Sequence, residues 1–180
     1  PLGEIEVNTE LAEHIASESA YAELDEVAHE REHSIEVQLP FLQYLFNGQL
    51  RIVAITMMDQ SLVAAKDLAQ ALDKMLKPGE HILIATSDLT HYEPHDVAVK
   101  KDSEIIESML KLSASDIVDA ARIKGYSVCG YGAIAVAALY SAKRGVREGE
   151  LLKYSTSGDV TGDLHAVVGY ASVVYKKPSK

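Results

Sequence analysis

Apolar and polar positions along this chain fall into blocks whose lengths and periods predict a succession of short strands and helices. Glu4 to Val7 reads as a short strand, and Asn8-Thr9 offers side-chain oxygens that can cap a helix from about Glu10 to Ser17. Asp25 to Arg31 is polar and reads as loop. Ile35, Leu39, Leu42 and Phe46 recur at three-to-four spacing, which predicts a helix with one apolar side over Ser34 to Phe46. Pro40 falls inside that pattern. Because proline lacks an amide donor and clashes with the preceding turn, the helix either kinks there or truly starts near Pro40. Arg51 to Met57 predicts a buried strand, Ser61 to Leu76 a helix closed by Pro78-Gly79, and His81 to Thr86 a strand covered on both faces. Asp96 to Leu112 predicts a helix, and a second with Ser115 as its cap ends near Gly125. The alanine-rich Ala133 to Lys143 predicts a packed helix before Gly145. Leu151 to Tyr154 and Val167 to Tyr175 predict closing strands. Strands alternating with helices argue for an α/β fold, layered, with a mostly parallel or mixed central sheet flanked by helices. No repeat or long linker divides residues 1–180, which predicts a single domain.

Composition narrows the function classes. A hydrophobic fraction of 47% in 180 residues allows a sizeable core, and no apolar stretch reaches the roughly 20 residues that span a bilayer. The formal charge of −10, from 27 acidic and 17 basic residues, opposes binding to a phosphate backbone, so nucleic acid is not an expected partner and neither is a membrane. The acidic run from Glu10 to Glu32 reads as a solvated helix face and polar loop, or as an acidic docking surface. One cysteine cannot form an internal disulfide, which makes a cytoplasmic, reducing location the simplest expectation.

Three polar clusters interrupt the pattern. Ser87-Asp88-Leu89-Thr90-His91-Tyr92-Glu93-Pro94-His95 follows the predicted strand at His81 to Thr86, and ligands in open α/β sheets sit outside the carboxyl ends of such strands. Asp88 can equally be a helix cap, and His91 an ordinary loop histidine. Asp88 and His91 are three residues apart, but the pair is one histidine short of the two-histidine, one-carboxylate set common in non-haem iron centres. Pro94 separates His95 from His91 and places His95 at the surface. The second cluster, Glu32-His33-Ser34-Ile35-Glu36-Val37-Gln38-Leu39-Pro40, puts His33 and Glu36 on one face if it is helical, where a carboxylate can tune an imidazole as a proton acceptor. On spacing alone, a structural His33 with Glu36 and Gln38 satisfying backbone groups fits as well. The third cluster surrounds Cys129, whose neighbours Gly130 and Gly132 allow close backbone approach; a buried thiol without a role is the alternative. His165, ahead of the last predicted strand, reads as structural, and His14, His29 and His81 are tied to no chemistry.

The runs Glu32-His33-Ser34-Ile35-Glu36-Val37-Gln38-Leu39-Pro40, Ser87-Asp88-Leu89-Thr90-His91-Tyr92 and Ser127-Val128-Cys129-Gly130 resemble the Memo family, whose fold is that of class III extradiol dioxygenases. Weaker similarity continues through Leu152 to Asp159 and Val167 to Tyr175. The resemblance implies that Cys129 ligates a metal, iron or alternatively copper. It implies that Asp88 and His91 flank that metal rather than ligate it, as acid, base or supporting partner, and that the His33 segment lines the same cleft. His33, Asp88 and His91 are then the candidate catalytic residues. A histidine-alanine-glycine motif and a glycine-proline-serine-histidine-histidine motif, each supplying a metal-site histidine in the family, are not found, and the ligand set in this chain is incomplete. With the Pro1-Leu2-Gly3 opening, this reads as the C-terminal portion of a larger Memo-like domain, lacking its N-terminal strands and metal-binding histidines, or as one piece of a divided protein. The expected partners are that missing N-terminal segment or a companion chain and a small-molecule or peptide ligand, with homo-oligomerisation left open.

Three functions compete. The first is a non-haem metal redox protein acting on a small substrate, a dioxygenase-like oxidoreductase, although a thiolate in place of the usual carboxylate means that ring cleavage is not inherited with the fold. The second is a non-catalytic peptide- or protein-binding module using the same cleft. The third is a cysteine nucleophile activated by His91 or His33.

Overall fold

The computed structural model describes residues 3–177, so the Pro1-Leu2 opening lies outside the described residues. The fold is α/β. Strand β1 (Glu6–Val7) leads into helix α1 (Thr9–Glu18), whose first turn is capped by Asn8 Oδ1 accepting the Leu11 N–H at 3.2 Å. A one-turn 3-10 segment, Glu36–Gln38, precedes α2 (Leu39–Leu45), and Pro40 sits in the first turn of that helix. The second of the two alternatives for Pro40 therefore holds: the missing amide falls where no intrahelical bond would form.

Strand β2 (Arg51–Ile52) pairs in parallel with β1, and Ser61 caps α3 (Leu62–Met75) through its Oγ. Strand β3 (His91–Glu93) and α4 (His95–Leu110) follow, then α5 (Ala114–Arg122) and α6 (Tyr131–Lys143). The chain closes with β4 (Glu150–Thr156), the short α7 (Gly158–Thr161) and β5 (Val167–Val174). An antiparallel sheet of order β3-β5-β4 accompanies the parallel β1-β2 pair, so strand directions are mixed between two small sheets.

Three expectations need correction. Of Arg51 to Met57, only the first two residues enter a ladder. His81 to Thr86 joins no ladder among the described residues, and Ile82 and Ile84 are 73% and 51% exposed while Leu83 packs inward, so one face is covered rather than both. The cap of α5 is Ser113, with Ser115 already inside the first turn.

Helices carry most of the core. One apolar cluster joins Ile15 of α1, Leu68 and Leu72 of α3, Val118 of α5 and Val136 of α6. A second joins Ile105 and Met109 of α4, Ile117 of α5 and Ile134 of α6 to Leu89 and Val128, with Val173 and Tyr175 packed against it. Helices α5 and α6 contribute to both, which makes them the shared wall of the molecule. Among the described residues, no helix is long and apolar enough to cross a membrane.

Two tyrosines are held in their neutral form. Burial, followed by a hydrogen bond to the Asp102 carboxylate, pushes the Tyr154 hydroxyl far above its ordinary 10.0, and burial pushes Tyr175 up to about 12. The folded protein therefore retains protons that the unfolded chain releases above pH 10, and folding stability must fall as pH rises through that range. Urea unfolding measured stepwise across pH 10 is expected to show this decline, reduced in Tyr175→Phe; the same decline in Tyr175→Phe as in the wild type would contradict the assignment for that residue.

Candidate functional site

Two buried apolar residues bring the polar clusters together. Leu89, 2% exposed, directly follows Asp88, and Val128, 3% exposed, directly precedes Cys129; both are buried in the second apolar cluster. Asp88 and Cys129 are thereby carried to one place from loops 41 positions apart. The Asp88 N–H donates to Cys129 Sγ at 3.2 Å, and the Gly130 N–H donates to Ser87 Oγ at 2.8 Å. Gly130 has to be glycine for this approach, because a Cβ there would meet Thr86 O at 2.6 Å and Ser87 Cβ at 2.8 Å.

His91 is tied to the same loop. Its backbone N–H donates to Ser127 Oγ at 2.8 Å and its Nδ1 lies 2.6 Å from the Ser127 carbonyl. A carbonyl can only accept, so Nδ1 carries the proton and the neutral ring keeps its lone pair on Nε2. That Nε2 faces Asp88 Oδ2 at 3.6 Å, an ion-pair spacing too long for a good hydrogen bond. One ligand atom from each of Asp88, His91 and Cys129 lies within 4.8 Å of the others, close enough for one ion to touch all three. Cys129 is exposed and the other two are partly buried, so the inert buried thiol is not what the fold contains.

The surroundings are aromatic. Tyr92 adopts φ +57°, a strained conformation for a bulky side chain, at an irregularity in the β3 ladder between His91 and Glu93. Its ring is exposed and lies 5.9 Å from the His91 ring. Tyr170, on β5, has its hydroxyl pKa raised by partial burial and by the nearby Asp88 and Tyr92.

The His33 segment touches this region indirectly. Ser34 O accepts from Thr86 Oγ1 at 3.3 Å, one residue before Ser87. Glu32 shapes the turn by accepting the Ser34 N–H and hydroxyl and the Ile35 N–H; burial opposes its ionisation, yet these hydrogen bonds outweigh burial and lower its pKa. His33 itself is exposed, and helical structure begins only at Glu36, so the shared helical face expected for His33 and Glu36 does not form. His95 is partly buried rather than at the surface, with Nδ1 3.1 Å from Thr156 Oγ1. His165 is exposed in the loop before β5.

Gln60 escaped the sequence reading altogether. Its side-chain amide behaves like a peptide group toward the Cys129 loop, with Nε2 donating to Cys129 O at 2.9 Å and Oε1 accepting the Gly132 N–H at 2.8 Å. Gly132 packs directly on Gln60, since a Cβ would stand 2.8 Å from Gln60 Cβ. The paired glycines were the only trace of this clamp in the sequence. Two open surface depressions, one lined by Glu6 and Gly48 to Arg51 and the other by Glu148 to Glu150, Val174 and Lys176, share no residue with the cluster.

A family model described as Memo-like protein matches residues 1–174. The chain is 41% identical to a MEMO1 family protein of Nitrosopumilus maritimus, aligning 97% of this chain with 64% of that protein. It is 42% identical to one of Caldivirga maquilingensis, over 98% and 63% of the two chains. It is 44% identical to one of Thermoplasma volcanium, over 97% and 64%. The chain thus spans just under two thirds of the length of these relatives.

Gly130→Ala is expected to destabilise the protein by about 1–3 kcal/mol through overpacking against Thr86 and Ser87. Gln60→Ala should cost about 1 kcal/mol through its lost hydrogen bonds. Denaturant unfolding of both variants checks this, and wild-type stability in Gly130→Ala would show that the two loops are not in contact.

Proposed function

Because the chain belongs to the Memo family, we propose that it is a redox-active non-haem metalloprotein, related to class III extradiol dioxygenases, that holds iron or copper and acts on a small substrate. The observation that carries this reading is the convergence of a thiol, an imidazole nitrogen and a carboxylate within 4.8 Å. These donors fit such a metal: imidazole suits iron and copper, and sulfur binds the softer members of the first transition row. The Nδ1 contact to Ser127 O supports it further, because a ligating histidine ordinarily gives its other N–H to a carbonyl or carboxylate that fixes the ring. Cys129 would be the principal ligand in this chain, with His91 Nε2 and an Asp88 oxygen able to join it. Ligands from outside the chain or solvent would complete the set.

When bound, the metal would supply one-electron chemistry and open positions for oxygen and substrate. The protein's own groups would manage protons. Asp88, partly buried and with His91 facing its carboxylate, would accept a proton from an acidic substrate hydroxyl. His91, with Nδ1 anchored, would exchange protons only at Nε2, and only while that nitrogen is not on the metal. His33, exposed on the segment that meets Thr86, would pass protons between this region and solvent.

A second reading, binding of a peptide or protein at the same place without turnover, is favoured by the exposed Tyr92 and Tyr170 beside Asp88. Tyrosine is enriched among the residues that anchor such ligands.

Ferrous iron titrated anaerobically into the protein should bind stoichiometrically, and Cys129→Ala should weaken binding by more than about tenfold; equal iron in both proteins would refute the ligand assignment. Oxygen uptake by the loaded protein with a panel of catechols separates the two readings. Metal-dependent uptake counts against a purely binding role, and a full panel without uptake counts against the dioxygenase-like one.

A further inference from the structure

Asp102 lies in the middle of α4 and is fully buried, at 0% exposure, with no cation in ion-pair contact among the described residues. A carboxylate taken out of water without a cation is retained only where hydrogen bonds hold it. Two do so. Oδ1 accepts the Thr90 N–H at 2.9 Å, and Oδ2 accepts the Tyr154 hydroxyl at 2.8 Å. Room for the carboxylate comes from Gly169, whose absent Cβ would overlap Oδ2.

Thr90 is the residue that matters in this arrangement. It sits between Asp88 and His91, and its remaining main-chain group is fixed as well: Thr90 O accepts from the Gly169 N–H, while the adjoining Leu89 N–H donates to Gly169 O, both at 2.9 Å. Both main-chain polar groups of Thr90 are thus held by β5 and α4. The two side chains that flank this segment, Asp88 and His91, project toward Cys129 from a backbone that cannot rotate without breaking the Asp102 contact.

We infer that Asp102 is a positioning residue for the candidate site, fixing through the Thr90 N–H the direction in which His91 and Asp88 face Cys129. It touches neither substrate nor metal. The inference rests on the proposed metal site for one of its readouts and is independent of it for the other.

Three variants test it. Tyr154→Phe removes the hydroxyl and leaves the Thr90 anchor. Asp102→Asn keeps an oxygen acceptor for Thr90. Asp102→Leu combined with Tyr154→Phe removes the anchor without leaving a buried hydroxyl unpaired, which keeps the packing filled. Nitrogen NMR of the His91 ring in metal-free protein reports whether Nδ1 alone carries the proton, and ferrous iron affinity reports the site. The single-tautomer signal is expected in the wild type, Tyr154→Phe and Asp102→Asn, and is expected to be lost in the double variant, with iron affinity about tenfold weaker. A double variant that is folded by circular dichroism yet keeps both the tautomer and the affinity overturns the inference. So does loss of the tautomer in Tyr154→Phe alone, and so does its loss in Asp102→Asn. If the wild type binds no iron but the tautomer responds as described, the positioning role stands and the metal reading falls.

Discussion

Leu89 and Val128 are buried in one apolar cluster, and the approach of Asp88 to Cys129 follows from the meeting of their two loops. Fully burying a leucine or valine side chain contributes about 1.5–3 kcal/mol, whereas a single hydrogen bond contributes a net of about 1 kcal/mol. Apolar burial therefore brings Asp88 and Cys129 together, and the polar contacts only orient them. The orienting contacts run mostly through main-chain groups: Asp88 N–H to Sγ, Gly130 N–H to Ser87 Oγ, His91 Nδ1 to Ser127 O. Each contact has backbone at one end and a side chain at the other, so the alignment holds only while Cys129, Ser87 and His91 keep their rotamers.

The base beneath this meeting point is α6. It begins directly after Cys129-Gly130, and the Gln60 amide holds that end against the start of α3. Its other end is held to the far end of α3 by Arg144, whose Nη2 donates to Asp73 O at 2.6 Å and Leu76 O at 2.8 Å. The two helices are thus fastened at both ends, and α6 with α5 forms the wall shared by the two apolar clusters. A loop mounted on such a pair has little freedom to drift, which suits a site whose donors must converge to within a few ångströms.

The helices were legible in the sequence because their apolar positions carry a period that local geometry imposes. Ser61 opens its helix as expected, and of the two alternatives for Pro40 the helix start holds, because first turns are decided largely within four residues. The stretch His81 to Thr86 was misread because strand pairing depends on a neighbour that the segment does not contain, and an apolar run cannot announce which of its faces is covered. The site was legible in part. Asp88, His91 and Cys129 stood out as clusters and by family resemblance, and they do converge. Gln60 and Asp102 did not stand out. Asp102 lies in Lys100-Lys101-Asp102-Ser103-Glu104, which reads as a solvated helix face, and only the tertiary approach of Gly169 and Thr90 turns that position inward.

The donor set proposed for the metal mixes a soft sulfur, an intermediate imidazole and a hard carboxylate, and such a mixture selects poorly by affinity alone. Discrimination would then fall to the contacts around the donors. Asp88 is unusual in acting from both ends: its backbone N–H points at Cys129 Sγ while its carboxylate faces His91. A hydrogen bond to sulfur draws electron density away from it, and hydrogen bonds to cysteine sulfur are among the factors that set iron–sulfur potentials. A metal held at Cys129 would by that argument be biased toward its reduced state by the same residue whose carboxylate would accept a substrate proton. Redox poise and proton acceptance would be coupled through one side chain and its own amide, so that a displacement of the Leu89-Thr90 backbone would disturb both together.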